Sequence, residues 1–287
     1  METIRGKTTM LPNAGWRLRN PCRTITLCLA GLLVMSFAGC TGNEAGSNAG
    51  APSTFSKSTA GAAAAGRNPD GKTLASAHDK GDVKLWDLPE ATLRVALPGH
   101  ESRSRLFSLA FSPDGTTLVS ADVAGTIKLW DVAGRKEVAS LAEAGFSVYS
   151  VAFSPDGQRL AAGGGRYDHE AKKWESAGVT IWDMPTRKIV LSINGHATAV
   201  RAVQFGGDGK WLASAGGSGI GLGTDQPGEL RIWDPVDGTQ RFHFNNDSGF
   251  NCLALSHDGK YLAAGCDDPR ARIWDVSGLA LRKRLEP

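Results

Sequence analysis

The chain reads Ile127-Lys128-Leu129-Trp130-Asp131, a short aliphatic run that ends in a tryptophan and an aspartate. This composition is typical of a buried β-strand. The same pattern occurs four more times along the 287 residues. Repetition at a period of about 40–45 residues predicts a propeller whose blades contain four strands each. The other copies of the pair are Trp86-Asp87, Trp182-Asp183, Trp233-Asp234 and Trp274-Asp275.

A tight turn precedes each Trp-Asp pair, as in Pro113-Asp114-Gly115 and Pro155-Asp156-Gly157. Proline pre-sets the turn dihedral, aspartate hydrogen-bonds its own backbone, and glycine takes the positive φ. Apolar runs on both sides of the turn predict a β-hairpin. The remaining turns are Pro69-Asp70-Gly71, Gly207-Asp208-Gly209 and His257-Asp258-Gly259.

Together with the elements Gly99-His100 and Gly195-His196, these pairs and turns make residues 66–287 resemble the WD40 repeat family. The resemblance implies antiparallel four-stranded blades in which the Trp-Asp ends the third strand. It also implies that His100 and His196 are structural members of a buried His-Ser-Asp-Trp network. We expect this network to be incomplete in every blade, because Lys80 and Ala124 stand at the position of its aspartate in the first two units.

Three parts follow along the chain: a signal peptide (1–39), a flexible linker rich in Gly, Ala, Ser and Asn (40–65), and the propeller (66–287). Family members usually have seven blades, whereas only five units are visible here. Three arrangements stay open: a closed five-bladed ring, an open arc, which we favour slightly, and a shortened propeller that pairs with another chain. An incomplete ring would favour self-association. The units span about 66–98, 99–142, 143–194, 195–245 and 246–287.

The N-terminus is basic and leads into an apolar run, residues 25–39. This run is short for a membrane span and is typical of a secretory signal. Phe37-Ala38-Gly39-Cys40 resembles a bacterial lipobox, which implies lipidation of Cys40 and a membrane-anchored lipoprotein of the cell envelope, periplasmic or surface-facing. The alternatives are a plain signal peptide or a hydrophobic anchor, and translation starts at Met1 or Met10.

The net charge of +3 is concentrated in the leader, because residues 1–39 alone carry +4. The remainder has a net charge of −1 and is therefore nearly neutral. It lacks the basic surface that non-specific nucleic-acid binding needs. We expect protein partners rather than nucleic acid.

Two units depart from the regular spacing. The interval from turn Asp to Trp is 16 residues in units one, two and five, but 26 in unit three and 25 in unit four. The extra residues are expected in the loops between the second and third strands, side by side on one face of the propeller. Tyr, Trp and Arg are common in binding hot spots, and insertions collect on binding faces. The candidate partner-binding residues are Arg166, Tyr167, His169, Trp174 and Asp225.

Cys252 and Cys266 lie around the turn of the fifth unit, nearly opposite each other. Two buried thiols are the favoured interpretation, and a cross-strand disulfide is the alternative in an oxidising compartment.

The sequence contains no Walker A loop, His-Glu-x-x-His or Gly-x-Ser-x-Gly motif. We therefore expect no enzyme activity, cofactor or metal. The favoured function is a non-enzymatic protein-interaction scaffold at the cell envelope. The alternatives are a propeller that binds a small ligand or carbohydrate and, less favoured, a propeller-type enzyme.

Overall fold

The computed structural model describes residues 62–78, 81–100, 104–141, 144–170, 173–217, 227–268, 271–276 and 284–285. Within them the chain forms five antiparallel sheets, each built from four strands that follow one another in sequence. The prediction of an all-β propeller with five four-stranded blades is confirmed. The predicted signal peptide and Cys40 lie outside the described residues.

The first strand of each blade packs against the first strand of the next blade, so these strands lie innermost. Blade 1 consists of β1 (Ala62–Arg67), β2 (Thr73–His78), β3 (Val83–Asp87) and β4 (Thr92–Leu97); blade 2 of β5 (Leu106–Phe111), β6 (Thr117–Asp122), β7 (Ile127–Asp131) and β8 (Lys136–Leu141); blade 3 of β9 (Ser147–Phe153), β10 (Arg159–Asp168), β11 (Lys173–Asp183) and β12 (Lys188–Asn194); blade 4 of β13 (Val200–Phe205), β14 (Leu212–Gly216), β15 (Gly228–Trp233) and β16 (Gln240–Asn246); and blade 5 of β17 (Phe250–Leu255), β18 (Tyr261–Cys266), β19 (Ala271–Asp275) and β20 (Arg284–Leu285).

β1 begins at Ala62, four residues before the propeller start predicted at residue 66. Its sequence, Ala-Ala-Ala-Ala-Gly-Arg, contains poor strand formers. It nevertheless pairs with β2 along its length, and Ala64 is buried in the core shared with blade 2. Tertiary packing therefore overrides the weak local preference for a strand.

The predicted hairpin turns join the first and second strands of every blade. Their third residue is a glycine with φ between 69° and 72° in all five turns, a conformation that other residues adopt only at a cost. The aspartate carboxylate holds the turn closed, as where Asp114 Oδ1 accepts a hydrogen bond from the Thr116 amide at 3.0 Å.

The Trp-Asp pairs close the third strand, as predicted, and each half of the pair has its own structural role. Trp130 and Trp182 are fully buried between blades. The aspartate fixes the next turn: Asp131 Oδ1 accepts a hydrogen bond from the Gly134 amide at 2.9 Å, and Asp183 Oδ1 accepts one from the Thr186 amide at 2.9 Å.

Four apolar cores join neighbouring blades within the described residues. Each core combines one face of a blade with the opposing face of the next, as where Leu129 of blade 2 meets Leu160 and Trp182 of blade 3. Across the described ranges, no such core joins blade 5 to blade 1, and β17 does not pack on β1 as the other first strands pack on their neighbours. The blades therefore form an open arc, the arrangement that the sequence slightly favoured.

Candidate functional site

The first insertion lengthens a hairpin. β10 and β11 contain ten and eleven residues, and their pairing continues until Asp168 lies opposite Lys173. The prediction of a loop was wrong for this blade, because the added residues extend both strands and keep the backbone hydrogen-bond pairing between them. We call residues 164–177 the extended hairpin. The second insertion falls mostly at residues 218–226, so Asp225 lies outside the described residues.

Three of the predicted binding residues form an aromatic cluster on the extended hairpin. The Tyr167 ring lies edge-on to Trp174, with 5.2 Å between ring centroids, and edge-on to His169 at 5.1 Å. Edge-to-face pairs of this kind are favourable beyond the area that they bury. Beside them Arg166 Nε forms an ion pair with Glu175 Oε2 at 3.0 Å. Arg166 remains 67% exposed, so the pair offers both charges to a partner.

Gly165 sets the position of this cluster against blade 4. A Cβ atom at Gly165 would lie 2.9 Å from the Cα atom of Ala199 and 3.1 Å from the Trp174 ring. Only a glycine allows the hairpin to approach the segment before β13 so closely. The Trp174 indole Nε1 is buried and has no hydrogen-bond partner among the described residues.

A second group of side chains was missed by the sequence analysis. The first strand of every blade carries a β-bulge near its start, where one residue is passed over in the pairing with the second strand. From blade 2 to blade 5 these residues are Phe107, Tyr149, Arg201 and Asn251, which we call the bulge row.

The sequence does contain a signal for the bulge row. Each of its residues stands seven positions before the aspartate of the following turn. The signal lies in spacing alone, because an aromatic, a basic and an amide side chain share no residue type. The spacing acquires a meaning only in the structure, where the bulge occurs at the same distance before the turn in all five blades.

Three members of the bulge row, Phe107, Tyr149 and Arg201, interact across neighbouring innermost strands. The Phe107 and Tyr149 ring centroids are 5.2 Å apart, and the Arg105 guanidinium lies 5.0 Å from the Phe107 centroid. Burial raises the pKa of Tyr149, and the positive charge of Arg201 opposes this rise. All four side chains of the row are half-buried. Aromatic rings with guanidinium groups are characteristic of protein-binding surfaces.

The bulge row and the extended hairpin lie at the same end of blade 3. Ser147 pairs with Gly165 of the extended hairpin, and Val148 pairs with Gly164. Tyr149 is the next residue along β9 and belongs to the bulge row. The bulge row and the extended hairpin are therefore neighbours in blade 3.

The buried network is complete in blade 2, contrary to the sequence-based expectation. His100 Nδ1 is 2.9 Å from Asp122 Oδ2, and its Nε2 is 2.6 Å from Ser120 Oγ. Trp130 Nε1 donates to the same Ser120 hydroxyl at 2.9 Å. The expectation was wrong because it placed the aspartate at Ala124 in the turn, whereas the acid is Asp122 at the end of β6.

Blade 4 contains a variant of this network in which the acid comes from the third strand. His196 Nε2 is 2.6 Å from Ser214 Oγ, and His196 Nδ1 is 3.0 Å from Glu229 Oε2. Burial disfavours the ionised form of Glu229, but hydrogen bonds from His196, Arg231 and the Ala197 amide outweigh burial and lower its pKa to about 2. Burial lowers the pKa of His196.

No disulfide joins Cys252 and Cys266 in the structure, in line with the favoured interpretation rather than the alternative. Cys252 lies opposite Gly265, and Cys266 lies opposite Phe250. The bulge in β17 puts the two thiols out of register. Cys266 instead accepts a hydrogen bond from Arg272 Nη1 at 2.8 Å, and burial raises its pKa to about 11.

In the part of the chain that the structure describes, no three His, Cys, Asp or Glu side chains are grouped in a way that could hold a metal ion. Nor does that part contain a helix with the length and apolar character needed to cross a membrane.

Comparison with known proteins supports the fold and the repeat. The family described as WD domain, G-beta repeat matches residues 62–87, 91–131, 135–175, 187–234 and 238–275, more than half of the chain. Hydrazine synthase from Kuenenia stuttgartiensis aligns with a TM-score of 0.63 and 17% identity over 77% of this chain and 64% of that chain. At this identity the likeness shows the fold alone.

Curated relatives match over shorter stretches. Small ribosomal subunit protein RACK1y from Oryza sativa subsp. japonica is 27% identical over 114 residues, 40% of this chain and 31% of that protein. The target of rapamycin complex subunit wat1 from Schizosaccharomyces pombe is 27% identical over 112 residues, 38% of this chain and 32% of that protein. Pre-mRNA-processing factor 19 from Oryza sativa subsp. japonica is 28% identical over 113 residues, 38% of this chain and 19% of that protein. The matches thus span less than a third of each relative.

Proposed function

This chain belongs to the WD40 repeat family, and on that premise we propose that it is a non-enzymatic scaffold that binds partner proteins while tethered at the bacterial cell envelope. The carrying observation is the aromatic cluster of Tyr167, His169 and Trp174 on the extended hairpin. The exposed ion pair of Arg166 and Glu175 flanks this cluster.

The chemistry of this surface fits a protein partner. Tyrosine and tryptophan offer large contact areas and lose little conformational entropy on binding, and arginine adds directional hydrogen bonds. The hairpin is fixed by its own pairing and by the contact of Gly165 with Ala199. A preorganised surface loses less entropy on binding than a mobile loop. The bulge row extends the surface across the inner strands and increases the area that a partner can cover.

The relatives support the same class of function. Two of the matched proteins are described as a ribosomal subunit protein and a subunit of the target of rapamycin complex, so both belong to assemblies. The matched stretches are about 110 residues long in a chain whose described blades are WD40 repeats. We carry over only the role of binding protein.

The test is co-purification of the full-length protein with partners from its native envelope. Tyr167→Ala together with Arg166→Glu is expected to reduce recovery of the partner at least about tenfold, because both side chains belong to the proposed contact. Tyr261→Ala is the matched control, since Tyr261 is a 42% exposed aromatic residue on blade 5, away from the hairpin. Equal recovery with all three proteins, each with an unchanged melting temperature, would exclude this surface.

The tether is supported by the leader sequence alone. The basic start, the apolar run of residues 25–39 and Cys40 have the order of a lipoprotein signal. One acyl chain binds membranes marginally, so stable anchoring needs more than one. Cys40→Ser is expected to move the protein from the membrane fraction to the soluble fraction. Retention of the variant in membranes would contradict lipidation at this residue.

A further inference from the structure

The first and the last blade each have an apolar face at an end of the arc. The equivalent faces of the internal blades are covered by a neighbouring blade. In blades 1 to 4 the residue directly before the Trp of the Trp-Asp pair is buried in the core shared with the next blade. These residues are Leu85, Leu129, Ile181 and Ile232, between 0% and 6% exposed. Ile273 holds this position in blade 5, where it is only half-buried and lies in none of the four cores.

The neighbouring positions of blade 5 follow the same rule. One residue after the leucine near the start of the second strand, the side chains of Ala75, Val119, Ala161 and Ala213 are fully buried, and Ala263 at that position in blade 5 is half-buried. We call the surface formed by Ala263, Ala271 and Ile273 the trailing face.

Blade 1 shows the complementary pattern on its opposite side. The leucine near the start of the second strand is 0% exposed at Leu118, Leu160, Leu212 and Leu262, where each packs against the preceding blade. Leu74 holds this position in blade 1 and is half-buried. Trp86 is 7% exposed, but unlike the other four Trp residues of the repeat it lies in none of the four cores. We call the surface formed by Leu74, Trp86 and Leu88 the leading face.

We propose that the trailing face of one copy of this chain packs against the leading face of a second copy, in a head-to-tail contact. The four internal cores are four examples of this same pairing, because each joins the trailing side of one blade to the leading side of the next. Leu74 and Trp86 on the leading face and Ile273 on the trailing face keep the residue types of their counterparts in those cores. A second copy therefore supplies a partner face of the required shape and chemistry.

The geometry also defines the kind of assembly. The two faces differ, so the contact is heterologous. Each copy offers its trailing face to one neighbour and its leading face to another. Such contacts continue from copy to copy until the rotation closes a ring. This distinguishes the contact from a symmetric dimer, in which one face meets itself. It involves neither the extended hairpin nor the bulge row and goes beyond the proposed binding of partner proteins.

The test measures the mass of the purified full-length protein by analytical ultracentrifugation in mild detergent. The wild type is expected to form assemblies of two or more copies as its concentration rises. Ile273→Arg removes the trailing face and Leu74→Arg the leading face, and each is expected to weaken association at least about tenfold, since either puts an unpaired charge into an apolar contact. Val190→Arg is the matched control on the outer strand β12, where the side chain is 53% exposed.

Mixing the two variants distinguishes a head-to-tail contact from other modes of association. The intact trailing face of Leu74→Arg can meet the intact leading face of Ile273→Arg, so the mixture is expected to form pairs and nothing larger. The double variant is expected to remain monomeric. A monomeric wild type at about 100 µM would overturn the proposal, because a contact that weak lies outside specific association. So would a mixture no more associated than its components, or association unchanged in both variants.

Folding is checked by circular dichroism and thermal unfolding of each variant. If either arginine variant is unfolded, Ala263→Arg on the trailing face and Leu88→Arg on the leading face replace it. A photo-crosslinking residue at position 273 gives an independent measurement: crosslinks to blade 1 of another copy support the contact, and crosslinks between copies that only reach other blades contradict it.

Discussion

Single residues decide how well each blade satisfies its buried polar groups. Ser76, Ser120 and Ser214 accept hydrogen bonds from the Trp indoles of blades 1, 2 and 4 at 2.7–2.9 Å. Blade 3 has Ala162 at this position, and the buried Trp182 indole has no hydrogen-bond partner among the described residues. An unsatisfied buried donor costs free energy that a hydrogen bond would recover.

Ala162→Ser is therefore expected to stabilise the protein by about 1 kcal/mol. The added hydroxyl would accept from Trp182 Nε1 as its counterparts do in the other blades. Urea unfolding followed by tryptophan fluorescence measures the change in the free energy of unfolding. Ser214→Ala is the converse control and should destabilise by a similar amount. Equal destabilisation by both substitutions would show that blade 3 has no room for the hydroxyl.

The Glu229 carboxylate makes stability depend on acid pH. Its folded pKa of about 2 lies below its ordinary value of 4.5. Its contribution is thus complete above pH 4.5 and is lost as the pH falls towards 2. Glu229→Gln should cost about 3 kcal/mol at pH 7, and the difference from the wild type should shrink across that window. Unfolding midpoints between pH 7 and pH 2 measure it, and a constant difference would contradict the assignment.

At the scale of the element, the extended hairpin shows what a sequence reveals and what it conceals. The excess length of blade 3 is visible in the spacing of Asp156 and Trp182. The pairing of Tyr167 with Trp174 is not visible, because a ten-residue insertion is equally compatible with a loop. Backbone pairing depends on the approach of two segments, which residue types alone do not record.

Other elements show the same division. The turns were predictable because Pro-Asp-Gly has a local physical basis, and the third strands because Trp-Asp ends them. The start of β1 was predicted too late, because alanine forms strands poorly, whereas Ala64 is buried in the core shared with blade 2. The bulge row was missed because no residue type marks a bulge. Asp122 was overlooked because the search for an acid was confined to the turn, two residues further on.

Gly165→Ala tests the packing of the extended hairpin. The new Cβ atom would lie 2.9 Å from Ala199, so the hairpin must shift, at a cost of about 1–3 kcal/mol. Gly66→Ala is the matched control: it is also in a strand, and its Cβ atom would meet no atom closer than 3.7 Å. Thermal unfolding should separate the two variants. A neutral effect of Gly165→Ala would mean that the hairpin does not rest on blade 4.

At the scale of the whole molecule, five blades and four cores make an open arc. In a closed ring every blade has two neighbours. Among the described residues the first and last blades pack against one neighbour each, and Leu74 and Ile273 are half-buried. Closure within one chain would need a fifth core between blade 5 and blade 1. The described residues contain the trailing face and the leading face, but the two faces do not touch.

An open series of cores also has a consequence for hydrogen exchange. A linear array opens from its ends, because a terminal unit breaks one interface where an internal unit breaks two. Backbone amides of β10 should therefore exchange most slowly, those of β2 and β18 fastest, and those of β6 and β14 at intermediate rates. Deuterium uptake by mass spectrometry at low protein concentration measures this gradient. Uniform protection would be the behaviour of a ring, whereas slower exchange of the end blades at high concentration would report copies meeting there.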